Sequence, residues 1–191
     1  MKRVVMCVAI IVFLVNQSLA QDSNLRVLMH PTFELTNHLF VPVWFIGNAK
    51  TKTPNNLNLI TGLGYRTDNW WVESMAQRQW SPSGGQWFLN FRLFKSKGRL
   101  SIYGEPTIFL TKPAFQESVF VEYRLWHKLA LGGETENIHR SRARDTLGTG
   151  PRISYALPQW KGVRPVLAFT YQIRKEEQDV MRFYVVLHRR F

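Results

Sequence analysis

Apolar and polar residues alternate along most of this chain, and that period of two is the feature that most restricts its fold. Leu57, Leu59 and Tyr65 alternate with polar residues or glycine, and the same pattern recurs over 87–94 and 119–126. Successive side chains of a β-strand point to opposite faces, so the alternation predicts strands with one apolar and one polar face. No run of eighteen apolar residues follows residue 20, so no membrane-spanning helix is predicted.

Reading the whole chain with this pattern predicts eight strands, near 57–66, 69–78, 86–95, 99–110, 118–130, 149–157, 163–174 and 179–191. Short turn signals rich in Gly, Pro, Ser and Lys separate most of them, which favours antiparallel neighbours. The exception is 131–148, which we predict to be a long loop. Regularly spaced strands with short turns are typical of an all-β sandwich or an up-and-down barrel.

The first twenty residues have the pattern of a secretory signal peptide. A positively charged start precedes an apolar run over 4–15, and Ser18 and Ala20 supply the small residues expected before a cleavage site. We therefore expect residues 1–20 to be removed and the protein to be exported. Cleavage also removes Cys7, the only cysteine, which excludes disulfides and cysteine chemistry from the mature chain.

The charge of the chain is strongly basic. It has 25 Lys and Arg residues against 13 Asp and Glu residues, a formal net charge of +12. Such an excess favours either nucleic acid or an anionic membrane surface as a partner. Because an exported protein rarely meets a genome, we expect no nucleic-acid partner and favour the membrane surface.

Residues 21–56 allow three interpretations. The stretches 25–34 and 37–46 alternate only in part, so they either add a hairpin and make ten strands or form a periplasmic or plugging segment. The barrel domain is predicted over 57–191, with an even number of strands in each case.

The last predicted strand carries a resemblance to a known family. Counting back by twos from Phe191 gives Leu187, Val185 and Phe183, with Arg189 the one charged residue in the row. This row resembles the C-terminal insertion signal of bacterial outer-membrane β-barrels. The resemblance implies a small transmembrane barrel of the OmpA and OmpX type in the outer membrane of a Gram-negative bacterium. It also implies contact with outer-membrane lipid, lipopolysaccharide and the barrel-assembly machinery, and we expect a monomer.

Aromatic residues near the predicted strand ends fit a membrane barrel. Amphipathic aromatic rings prefer the headgroup level of a bilayer, where outer-membrane barrels carry aromatic girdles. The predicted interface aromatics are Tyr65, Trp70, Trp80, Trp87 and Trp160.

The predicted long loop, 131–148, faces the cell exterior if Phe191 lies on the periplasmic side. Three other tips fall on the same side by strand parity: Thr67, Ser96 and Glu176. Within the loop, Arg140, Arg142 and Arg144 form a basic cluster. Beside phosphorylated lipopolysaccharide each cation would gain about 1 kcal/mol, by analogy with other anionic membrane surfaces; a solvated loop without a partner is the alternative.

The polar face of the strands becomes the barrel interior in this interpretation. By parity it contains Glu73, Arg92, Glu105, Glu122, Arg124, Arg152, Arg164, Arg174 and Arg182. The interior of an eight-stranded barrel has room for side chains and little else. Because an unpaired buried charge is costly, we predict ion-paired networks that plug the barrel. The surplus of arginines leaves a narrow anion channel as an alternative.

The sequence offers little for catalysis, and we expect no cofactor and no metal site. His139 and Ser141, with Glu136 nearby, look similar to the His-x-Ser pair of the outer-membrane lipid A deacylase family. That resemblance implies a histidine that activates serine and a carboxylate that orients the histidine. The main prediction is a structural or surface-interaction role. The alternatives are this lipid-modifying enzyme, the anion channel, and a soluble periplasmic barrel of lipocalin-like shape with its apolar rows inside.

Overall fold

The structure is a computed structural model that describes residues 22–50, 55–111, 114–141, 145–175 and 178–191. The predicted signal peptide lies outside the described residues. The described part folds into eleven β-strands: β1 (Asp22–Glu34), β2 (Leu39–Lys50), β3 (Asn56–Arg66), β4 (Trp70–Ser81), β5 (Gly84–Lys97), β6 (Leu100–Phe109), β7 (Ala114–Arg124), β8 (Leu129–Arg140), β9 (Thr146–Ala156), β10 (Val163–Lys175) and β11 (Val180–Arg190).

The eleven strands form one closed barrel. Each strand pairs antiparallel with the next, and β1 closes the barrel by pairing with β11 in parallel. An odd number of strands requires one parallel pair, because the first and last strands then run in the same direction. Asp22 and Phe191 therefore lie at opposite rims. We call the rim that carries Phe191 the C-terminal rim; the connections after β1, β3, β5, β7 and β9 lie there.

The predicted all-β barrel is confirmed, but the predicted number of strands is wrong. The barrel has eleven strands, neither eight nor ten, and the expected even parity fails. Two strands come from the segment 21–56, and a third, β8, occupies most of the predicted loop 131–148. The outward-facing residues of β8 include Gly133, Thr135 and Asn137, so its sequence lacks the apolar row that identified the other strands. Its place comes from backbone pairing with β7 and β9.

The extra strand also changes which connections share a rim. Thr67 and Ser96 were predicted opposite Phe191, yet the β3–β4 and β5–β6 connections lie at the C-terminal rim. The third predicted tip, Glu176, lies outside the described residues. Adding β8 inverts the direction, relative to the last strand, of every strand that precedes it. The one missed strand therefore reverses the predicted rim of every earlier connection.

The two faces of the barrel wall differ in polarity. The outward-facing rows are mostly apolar, and residues such as Leu63, Phe91 and Leu131 are exposed. The inward-facing rows bury polar and charged side chains, including Asn90 and Arg182, together with a small apolar cluster around Trp44, Ile60 and Met75. A lipocalin-like arrangement, with the apolar rows inside, is therefore not the arrangement seen.

Two glycines permit a close approach between strands beside the charged interior. A Cβ atom added at Gly150 would collide with the backbone carbonyl oxygen of Tyr171, and one added at Gly132 with that of Val121. Both glycines lie two residues before a bulky charged side chain on the same strand face, Arg152 and Glu134 respectively. The absence of a side chain at Gly132 and Gly150 thus lets the neighbouring strands approach closely beside the bulky Glu134 and Arg152.

Cross-linking tests the parallel closure. Val27 and Val185 are directly opposite in the β1–β11 register and face outwards. Neighbouring strands lie about 4.8 Å apart, within the Cα separation that a disulfide accepts. We expect the double variant Val27→Cys, Val185→Cys, in a Cys7→Ser background, to form an intramolecular disulfide on mild oxidation. The matched pair Val27→Cys, Leu89→Cys lies on β1 and β5, which are not neighbours, and should not react. Absence of the disulfide in the Val27→Cys, Val185→Cys variant would contradict the eleven-strand closure.

Candidate functional site

The barrel interior is the candidate functional site because it concentrates the buried charge of the molecule. All nine residues that the sequence assigned to the interior occupy inward-facing positions. Two of them, Arg124 and Arg164, lie exposed at the C-terminal rim. The inward-facing charged residues also include six that were not predicted to lie there: Arg26, Glu34, Arg66, Glu134, Glu136 and Arg190.

The first interior network is organised around Glu136 and Arg182. Nη1 and Nη2 of Arg182 donate to the two carboxylate oxygens of Glu136, at 2.6 Å each. An ion pair is strongest when the guanidinium and the carboxylate share two parallel hydrogen bonds, as they do here. Arg26 approaches the same carboxylate at 3.6 Å. The pair is buried and joins β8 to β11 across the barrel interior.

Glu134 extends this network with an unusually complete set of donors. Its Oε2 accepts hydrogen bonds from Nη1 of Arg152 at 2.5 Å and from the hydroxyl of Thr170 at 3.0 Å. Its Oε1 accepts from the hydroxyl of Tyr184 at 2.7 Å and from Nε2 of Gln172 at 3.1 Å. A buried carboxylate is tolerated when its oxygens are saturated in this way.

Arg152 links Glu134 to the third carboxylate of the same network. Nε of Arg152 donates to Oε1 of Glu122 at 2.8 Å. The guanidinium also lies 4.3 Å from the ring centroid of Phe120. The network therefore crosses from β7 to β11 and fixes several strands by charged hydrogen bonds.

A second network lies around Glu105 and Arg92. Nη2 of Arg92 donates to Oε1 of Glu105 at 2.9 Å, and the hydroxyl of Tyr103 donates to Oε2 at 2.6 Å. Asn90 bridges Glu105 and Thr107 with hydrogen bonds of 2.9 and 2.8 Å. Arg92 also lies 4.2 Å over the ring of Trp44. Charge and aromatic surface together fill this part of the interior.

Two histidines meet across the β1–β11 junction. Nδ1 of His30 lies 3.0 Å from Nδ1 of His188, so one ring donates to the other. The His30 ring stacks on Trp44 at 3.6 Å, and its Nε2 lies 3.3 Å from Oε1 of Glu73. The indole of Trp44 donates to the other Glu73 oxygen at 3.0 Å. These polar side chains connect β1, β2, β4 and β11.

Glu134 and Glu136 were not predicted to be interior residues because the segment 131–148, which contains them, was predicted to be a loop. Both alternate with Gly133, Thr135 and Asn137, so no apolar residue marks the outward face. One signal was available: an eighteen-residue loop without structure is uncommon in a compact domain. The predicted interior also held more arginines than carboxylates, which implied missing acidic partners.

The three candidate catalytic residues do not form one site. Glu136 points into the interior and binds Arg182, whereas His139 lies three residues later on the outward face of β8. Nδ1 of His139 donates to Asp145 at 2.9 Å. The backbone N–H of Arg140 and the His139 ring lower the pKa of the Asp145 carboxyl by hydrogen bonding. Ser141 follows the end of β8. The barrel wall thus separates the carboxylate from the histidine.

The predicted interface aromatics occupy both rims. Tyr65, Trp70 and Trp160 lie at the C-terminal rim, and Trp80 and Trp87 lie at the opposite rim; all five are exposed. The predicted insertion-signal row, Phe183, Val185, Leu187 and Phe191, occupies outward-facing positions of β11 and the residue after it. Arg140 donates to Thr146 at 2.9 Å at the opposite rim. Arg142 and Arg144 lie outside the described residues.

Comparison with known proteins gives no further assignment. No family model matches the chain, and no curated protein and no solved structure is similar to it. Within the described residues no helix is long and apolar enough to cross a membrane. The same residues contain no group of three or more His, Cys, Asp or Glu side chains placed to hold a metal ion.

Proposed function

We propose that the protein is an integral membrane β-barrel whose interior is held closed by arginine–glutamate networks. The observation that carries this proposal is the inverted polarity of the wall, apolar outside and charged inside. A closed barrel satisfies every backbone hydrogen bond within the wall, which is the condition for β-structure in a bilayer. Exposed apolar rows around a barrel are costly in water and favourable in lipid.

The proposed location is the outer membrane of a Gram-negative bacterium, where the barrel is a monomer in contact with lipid and lipopolysaccharide. The signal-peptide pattern of residues 1–20 and the insertion-signal row that ends at Phe191 support this location. Exposed aromatic residues at both rims support it as well. Insertion would use the barrel-assembly machinery, as in the OmpA and OmpX type that the sequence resembles.

The proposed role is structural or surface-interactive. Arg182, Gln172, Asn90 and Thr170 are fully buried inside the barrel, which favours a filled interior over an anion channel. The separation of Glu136 from His139 gives the lipid-modifying enzyme no support. Arg140, with Arg142 and Arg144, is the proposed contact with an anionic surface.

Cell fractionation tests the proposed location. We expect the protein expressed in a Gram-negative host to sediment with the outer membrane, to require detergent for extraction, and to migrate faster on gels before boiling than after. A second small membrane barrel and a soluble periplasmic protein serve as markers. Recovery with the soluble marker, together with a migration that heating does not change, would contradict a membrane barrel.

A further inference from the structure

The interior face of β10 and β11 gathers three basic side chains at the C-terminal rim. Arg164 and His188 are direct register partners, and Arg190 follows His188 by two residues on the same face. Directly opposed side chains have Cβ atoms about 5 Å apart, and diagonal or next-but-one neighbours are about 7 Å apart. The three side chains therefore form one compact group, which we call the C-terminal mouth.

An open cavity adjoins this group. It has a volume of about 490 Å³ and is lined by residues 34–37, Arg66 and Arg190. Its size is within the range of small-molecule sites, and its lining is mainly polar. On β1, the strand next to β11, Glu34 forms an ion pair with Arg66 of β3, whose guanidinium lies 4.5 Å over the Phe40 ring.

The two arginines of the mouth differ from the deeper arginines in forming no close ion pair among the described residues. Arg182 and Arg152 form close ion pairs with interior carboxylates. Arg164 and Arg190, in contrast, form no ion pair with any carboxylate of the described residues. Glu34 is already engaged by Arg66. Within the part of the chain that the structure describes, Arg164 and Arg190 on the β10–β11 side of the mouth are thus outside any close ion pair.

His188 gives the mouth a fixed floor. Nδ1 of His188 contacts His30, whose ring stacks on Trp44. These contacts fix the orientation of the His188 ring. Nε2 is the remaining ring nitrogen, and His188 is only partly buried. A neutral imidazole with one nitrogen engaged can still donate or accept at the other.

We propose that the C-terminal mouth binds a phosphate group through Arg164, Arg190 and His188. Two arginines on the same inner face of neighbouring strands match an anion with several oxygens and more than one charge, whereas a single carboxylate would engage only one of them. Glu34, on β1 beside β11, disfavours an anion on its own side of the cavity. The site accepts the phosphate of a soluble compound or of a lipid headgroup by the same contacts.

This inference goes beyond the proposed membrane role and does not depend on it. The arginines belong to the barrel interior and would bind phosphate in any compartment. Failure to bind phosphate would leave the fractionation result unchanged, and a soluble location would leave the binding test intact.

Calorimetric titration of the full chain, folded in non-ionic detergent, tests the site with inorganic phosphate and pyrophosphate as probes. We expect saturable binding at one site that weakens as salt is added. Arg164→Gln and Arg190→Gln should each weaken binding about tenfold or more, since each removes a charge-assisted hydrogen bond. Both residues are exposed, and heat-dependent migration on gels verifies that each variant folds.

The matched control is Arg78→Gln. Arg78 faces outwards near the opposite rim, with its guanidinium over the rings of Trp80 and Trp87, so its loss should leave phosphate binding unchanged. The absence of saturable binding to the folded wild type would overturn the proposal. An equal loss in Arg78→Gln would also overturn it, because binding would then follow net charge alone.

A second arm separates the two sources of phosphate. The protein is placed in nanodiscs of phosphatidylcholine alone or with phosphatidic acid added, and the pyrophosphate titration is repeated. Loss of pyrophosphate binding only with phosphatidic acid identifies the lipid headgroup as the occupant. Equal binding in both nanodiscs identifies a soluble phosphate compound. Absence of binding in both would contradict the site.

Discussion

Replacing Arg182 by methionine should lower the free energy of unfolding by about 3–5 kcal/mol, the usual cost of removing one partner of a buried ion pair. Arg182 is 2% exposed and supplies both close hydrogen bonds to Glu136. Without it, Glu136 loses both of these hydrogen bonds and keeps the more distant Arg26, at 3.6 Å. Urea unfolding of the detergent-embedded protein, followed by the fluorescence of its seven tryptophans, measures the loss.

Two further variants separate charge pairing from a general loss of an arginine. Arg164→Met removes an inward-facing arginine that is exposed at the rim, so its effect should stay within about 0.5 kcal/mol. The double variant Arg182→Met, Glu136→Met removes both charges and should regain much of the stability lost in the single variant. If Arg182→Met is as stable as Arg164→Met, the interior network does not hold the barrel together.

The alternation in the sequence predicted the barrel because it reports the polarity of the two wall faces. Around Trp87, Leu89 and Phe91 every second residue is apolar, and the structure has these side chains outside. The pattern fails on β8, where glycine, threonine and asparagine replace the apolar row. A strand without an apolar row is held in place by backbone hydrogen bonds to the two neighbouring strands. A single sequence does not show which strands those neighbours are.

The same limit applies to the interior. Parity placed Arg152 and Arg182 on the inner face, since alternation needs only the strand and its direction. Parity could not identify their ion-pair partners. Glu134 and Glu136 lie on β8, at least 46 residues before Arg182 in the chain, and contact it only in the folded barrel. The β1–β11 junction is a second example. His30 and His188 are 158 residues apart in the chain, and they are in contact only because the barrel closes there.

Placing a charge on the outer wall should have an effect that depends on depth. Phe91, near the middle of β5, is 40% exposed, and Leu100, at the rim end of β6, is 42% exposed. In a bilayer, Phe91→Arg should destabilise the barrel by about 2–4 kcal/mol, whereas Leu100→Arg should cost about 0–1 kcal/mol. The difference arises because an arginine at mid-depth must hold its charge in hydrocarbon, while one at the rim reaches water and headgroups.

The near-equal exposure of the two side chains makes this pair a test of the solvent around the barrel. In water both arginines would lie on a solvated surface, and both effects should be within about 0.5 kcal/mol of zero. Urea titration in lipid vesicles, with lipid-free detergent samples for comparison, gives the two free energies. Equal stability of the two variants in vesicles would mean that the apolar rows do not face lipid, and the proposed membrane role would then be wrong even though the barrel itself is closed.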